Sequence, residues 1–124
     1  MEILAADRSA TTRETLREVI EVLGHRPVEA THASEVWEAL TAHFPDVALI
    51  VLSWDLPGAE DGSIIRRILA DRRFGKIPIM VLFGENDTAA AIEAFQAGAT
   101  ECVSQVATRQ DLITRMLDCL GRAA

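Results

Sequence analysis

The stretch DVALIVLS, Asp46 to Ser53, is the longest continuous apolar run in the chain. A run of this kind, without polar alternation, reads as a strand covered on both faces, the mark of the interior of a parallel sheet. Its abrupt end in Ser-Trp-Asp, followed by the turn Leu-Pro-Gly, places polar groups at the strand tip.

The remaining sequence alternates short apolar runs with amphipathic stretches. EILAAD (Glu2–Asp7) reads as a buried strand. Ser9 is a helix N-cap, and Leu16, Val19, Ile20 and Leu23 recur at helical spacing until Gly24. RPVEA is a short second strand, and a helix with Val36, Trp37, Leu40 and Phe44 ends at Pro45. After the loop DLPGAEDG, Ser63 reads as the cap of a helix bearing Ile64, Ile65, Ile68 and Leu69. Arg72 and Arg73 are expected in its last turn, where the dipole favours cations. IPIMVLF (Ile77–Phe83) is the fourth strand. Asp87 opens a helix that Gly98 closes, and TECVS (Thr100–Ser104) is the fifth strand. Thr108 with Asp111 starts a last helix carrying Leu112, Ile113, Met116, Leu117 and Leu120. Five strands, each followed by a helix, imply an α/β fold with helices on both faces of a parallel sheet. Such folds place their chemistry beyond the carboxyl ends of the strands, here Asp7–Arg8, Ser53–Asp55, Phe83–Gly84 and Ser104–Gln105.

The 124 residues, 49% hydrophobic and 25% charged, suit one domain over residues 1–124. A net charge of −7 disfavours nucleic acid and anionic membranes as partners. No signal pattern or bilayer-length apolar segment occurs, so a cytoplasmic location is expected. Cys102 and Cys119 are read as reduced thiols, and no metal-ligand spacing appears.

ILAADRSATTR, SWDLPG, IPIMVLF and AFQAGATECVSQV together resemble, in order, the landmark segments of response regulator receiver domains. The resemblance covers essentially the whole chain. It implies a doubly wound, flavodoxin-like (βα)5 fold with strand order 2-1-3-4-5. Two spacings differ: the third strand looks about two residues long, and GAEDG carries one extra residue. The family accepts a phosphoryl group from a kinase histidine on an aspartate. An acidic pair after the first strand helps to hold Mg²⁺, a lysine after the fifth contacts the phosphate, and a Ser or Thr ending the fourth switches toward it.

Residue by residue, the resemblance places Asp7 and Arg8 at the acidic pair, Ser53 at the acceptor, Phe83 at the switch hydroxyl and Gln105 at the lysine. Arg8 is a cation where a metal ligand belongs, and serine is a poor nucleophile without an adjacent base. Phe83 offers no hydroxyl and is expected to fill volume. Lys76 is the only lysine, so no realignment supplies the missing one. The expectation is a pseudo-receiver: not an enzyme, without cofactor, binding Mg²⁺ weakly or not at all, with Arg8 neutralising Asp7 or Asp55. The alternative is a conventional response regulator phosphorylated on a displaced carboxylate such as Asp55. A small phosphatase or nucleotide-binding protein lacks a nucleophile–base pair or glycine-rich loop to support it.

The resemblance places a partner-binding face, with homodimerisation possible, on parts of Asp87–Gly98, Thr100–Ser104 and Thr108–Gly121. Cys102 stands where the family carries a switching aromatic, so one rigid conformation is expected. Trp54 and Trp37 are read as packing residues, and His25, His32 and His43 as surface residues without a shared role. Arg66, Arg67, Arg72, Arg73 and Lys76 form a basic cluster, read as a solvated helix face or as a docking patch for an acidic partner.

Overall fold

A computed structural model of the chain describes residues 1–122. Its strands are β1 (Glu2–Ala6), β2 (Arg26–Ala30), β3 (Val47–Ser53), β4 (Ile79–Phe83) and β5 (Glu101–Ser104). The helices are α1 (Ala10–Val22), α2 (Ala33–His43), α3 (Ser63–Ala70), α4 (Thr88–Ala97) and α5 (Arg109–Arg122). All strand pairs are parallel, in the order β2-β1-β3-β4-β5.

The alternation of β3 explains the layering. Leu49 and Val51 join Leu16, Ile20, Leu112 and Met116 beneath α1 and α5. Ile50 and Leu52 point the other way and pack with Val36, Leu40, Ile65, Ile68 and Ala94 from α2, α3 and α4. A strand buried on both faces leaves no polar position until its last residue, Ser53.

The caps are local chemistry. Ser9 Oγ accepts from the Thr12 amide at 3.3 Å, and Asp87 Oδ1 from the Ala90 amide at 3.1 Å. Gly98 closes α4 with φ +115°, a left-handed conformation suited to glycine.

The start of α3 departs from the sequence reading. Ser63 is its first residue rather than its cap; Gly62, at φ +74°, precedes it. The extra residue is absorbed in a 3₁₀ turn, Glu60–Gly62, in which Asp61 takes φ +56°. The helix ends at Ala70, so Arg72 and Arg73 lie beyond it in the turns before β4. Those turns bury Phe74 completely, edge-on to Trp37 (ring centroids 5.4 Å apart) and to Phe44 (5.6 Å).

Candidate functional site at the strand ends

The parallel register brings four chain segments to one edge. Ala6 pairs with Leu52, Ser53 with Leu82, and Phe83 with Ser104, so Asp7, Ser53 and Gln105 emerge side by side.

Asp7 is 2% exposed. Its Oδ1 accepts the Ser9 amide at 2.8 Å, tying it to the first turn of α1, while Arg13 Nη1 donates to its backbone carbonyl at 2.7 Å. Its Oδ2 is buried without a hydrogen-bond partner. Burial raises the Asp7 carboxyl above its ordinary range; the Ser9 amide pulls it down and the nearby Asp55 charge pushes it up again.

Ser53 is fully buried. Its hydroxyl donates to Asp55 Oδ1 and accepts from Gln105 Nε2 at 3.0 Å. The Gln105 backbone amide is fixed on the Phe83 carbonyl at 2.8 Å, so the side chain reaches across β4 from a held position. Asp55 is the outer carboxylate, and Arg8 Nη2 lies 3.4 Å from its Oδ2, with both side chains more than half exposed. Arg8 thus neutralises Asp55 rather than Asp7.

A hydroxyl bonded to a carboxylate is an acid–base contact. Here the Ser53 oxygen is enclosed and already accepts from Gln105 Nε2. The donor set also fits a divalent ion poorly. Magnesium takes one or two carboxylates and keeps several waters; of the two carboxylates at this strand end, Asp7 is buried and Asp55 is engaged by a guanidinium and by Ser53. Among the described residues no three His, Cys, Asp or Glu side chains converge as a metal site.

Phe83 does not fill an interior cavity. As the last residue of β4 it is half-buried and lines an open groove of about 370 Å³ with Cys102, Val106, Asp111 and Arg115. Burial pushes the Cys102 thiol up to about 11, and Glu101 adds to it. Trp54 is half-buried against the larger core cluster, its ring beside Gly62. The three histidines are apart: His43 meets Glu2, His32 meets Glu35, and His25 meets the Met1 carbonyl.

Sequence reasoning placed a partner face on α4 but did not anticipate which apolar side chains that helix exposes. Its alanines, Ala90, Ala94 and Ala97, face the core, while Ile92 and Phe95 are 58% and 49% exposed. The signal was present in the spacing: the large apolar residues fall off the alanine stripe. Val106 and Leu117 add exposed apolar surface after β5 and on α5.

The strand order defines a doubly wound α/β domain of the flavodoxin-like class, with its polar cluster at the carboxyl ends of the strands. The description "Response regulator receiver domain" matches residues 3–117, and the chain belongs to that family. It is 31% identical over 122 residues to chemotaxis protein CheY1 of Helicobacter pylori, covering 98% of both chains. It is 30% identical to the CheY homolog of Campylobacter jejuni, covering 98% of this chain and 93% of that one. A putative response regulator from Chloroflexus aurantiacus superposes with a TM-score of 0.89 at 23% identity, over 97% of each chain. Among the described residues no helix is long and apolar enough to cross a membrane.

Proposed function

We propose that this receiver domain signals by protein–protein contact without being phosphorylated. One observation carries the reading: at the position that the family resemblance assigns to the acceptor, Ser53 is buried and hydrogen-bonded on both sides, to Asp55 and to Gln105. The parts of a phosphoryl-transfer site act as a unit, so replacing acceptor, metal ligand, lysine and switch hydroxyl together removes far more than any one change. Arg8 on Asp55 supplies the positive charge that the family draws from Mg²⁺ and lysine, and Mg²⁺ binding is weak or absent.

The partner binds the face of α4, β5 and α5, within Asp87–Gly98, Thr100–Ser104 and Thr108–Gly121. The outward Ile92 and Phe95, with Val106 and Leu117, support this, since apolar groups left outside a packed core mark contact surfaces. The Arg115–Glu101 ion pair at 3.3 Å sits on the same side as a polar rim.

The exposure of Asp55 favours one rival reading, in which Asp55 is the acceptor. Incubation with acetyl phosphate and Mg²⁺ followed by intact mass measurement separates the two. Unchanged mass is expected; an added phosphate that Asp55→Asn abolishes would establish the rival.

A further inference from the structure

Most described cations outside residues 60–76 sit on a carboxylate: Arg8, Arg13, Arg17, Arg109 and Arg115 do, while the exposed Arg26 at the start of β2 does not. Within that segment only Arg73 does, pairing with Asp71 at 3.0 Å. Arg66 donates to the Asp61 carbonyl, and Arg67 lies over the Trp37 ring, 3.8 Å from its centroid. Arg72 and Lys76 are exposed and have no ion pair or side-chain hydrogen bond. The segment holds five cations against three carboxylates in a chain of net charge −7. A solvated helix face in so acidic a protein has carboxylates at hand to pair with, and here they are not used.

The shape beside these charges is that of a groove. Between the start of α2 and α3 lies an open hollow of about 540 Å³, lined by Ala33, Pro57, Gly58, Ile64 and Arg67. Arg67 joins it to the aromatic trio Trp37, Phe74 and Phe44, of which Phe44 is 41% exposed. The eight residues of α3 span about 12 Å at the usual rise, and Lys76 borders a second hollow toward the other end of the sheet. The result is a strip with an apolar groove at one end and unpaired cations along it. Arginine stacked on an exposed-edge aromatic is a composition that interface centres favour.

We infer that the α2–α3 face, from the groove at Ala33 and Arg67 to Lys76, docks an acidic protein segment whose carboxylates meet Arg66, Arg67, Arg72 and Lys76. The overall negative charge supports a peptide over a nucleic acid, because a polyanion with charge on all sides is repelled by the rest of the surface. The groove shares the Asp55–Gly58 turn with the strand-end site, but Arg66, Arg67, Arg72 and Lys76 take no part in that site's hydrogen bonds, so the cation contacts do not depend on either reading given there.

The probe is a synthetic peptide repeating Glu-Leu-Glu-Glu, titrated into the ¹⁵N-labelled chain, with the matching Lys-Leu-Lys-Lys peptide and poly-uridine as comparisons. Amide shifts are expected to cluster at residues 32–34, 58 and 63–76 with the acidic peptide only, and to weaken with added salt. The double variant Arg72→Glu with Lys76→Glu touches no internal partner, so its fold is preserved; it is expected to weaken binding by about tenfold or more. Arg67→Glu is read beside it, with near-ultraviolet circular dichroism reporting the Trp37 stack. Shifts elsewhere, unchanged affinity in the double variant, or equal binding of poly-uridine would overturn the assignment. So would concentration-dependent self-association mapping to the same residues, which would make the occupant a second copy.

Discussion

Replacing Asp7 with asparagine tests the strand-end chemistry at its least comfortable atom. Oδ2 is enclosed with nothing to accept from, and a buried polar atom left so costs about 1–3 kcal/mol, more when charged. Asparagine keeps the oxygen that accepts the Ser9 amide and removes the charge, while its new amide can donate toward the neighbouring Asp55 carboxylate. A net gain of about 1 kcal/mol at neutral pH is expected. For 124 residues, at about 2.1 cal/mol/K of unfolding entropy per residue, this is a rise in Tm of about 4 °C. The pH dependence has a definite sign. Burial raises the folded-state pKa of Asp7, so its contribution to stability is fully present below the unfolded value and is lost as pH rises through the folded one. The advantage of Asp7→Asn is therefore greatest at neutral pH and closes as pH falls through the raised pKa. Glu35 and Asp71 are shifted downward by hydrogen bonds, from Thr31 and Arg73 respectively, and lose stability as pH falls; both chains share them, so they cancel in the difference. The assay is urea unfolding by circular dichroism across pH, with and without EDTA. A destabilised Asn variant, a pH-independent difference, or wild-type stability lost to EDTA would refute the reasoning; the last would show a cation held by Asp7.

Phe74→Ala removes a fully buried ring that holds Trp37 and Phe44 together, and is expected to cost about 3–5 kcal/mol, read by urea unfolding. Gly98→Ala puts a Cβ at φ +115° and 2.2 Å from Leu69 Cδ1, so a loss of at least about 1–2 kcal/mol is expected in thermal melts, even if the leucine turns away. Because the Cys102 thiol is raised to about 11 and half-buried, iodoacetamide at mildly alkaline pH should label it slowly in the folded chain and quickly in urea; equal rates would contradict that environment. Arg8→Asp places a second carboxylate beside Asp7 and frees Asp55. Magnesium should then quench Trp54 emission in a Trp37→Phe background, where the parent chain shows none.

The fold was legible because its signals are local. The apolar run ending at Ser53, the β2 strand RPVEA and the caps at Ser9, Asp87 and Gly98 each depend on neighbours in sequence. The α3 boundary was not, since Ser63 carries the right side chain for a cap while the actual device is the backbone of Asp61 and Gly62 at positive φ. Phe74 was also missed: in DRRFGK it is flanked by cations with no periodic partner, and only the meeting of α2, its C-terminal Phe44 and the turn after α3 encloses it. At the site, strand ends named the residues but not their bonds. The Gln105–Ser53 contact joins positions 52 apart, and Arg13, an ordinary helix-surface residue by pattern, reaches back to the Asp7 carbonyl. Phe83 was misjudged because volume was considered without depth: the end of β4 lies at the surface.

The central claim is that these strand ends do not gather a divalent ion around an attackable carboxylate. Fluorine NMR of the full chain with beryllofluoride and magnesium measures this directly. Only the free fluoroberyllate signals are predicted; a protein-bound resonance that vanishes on Asp55→Asn would contradict the account.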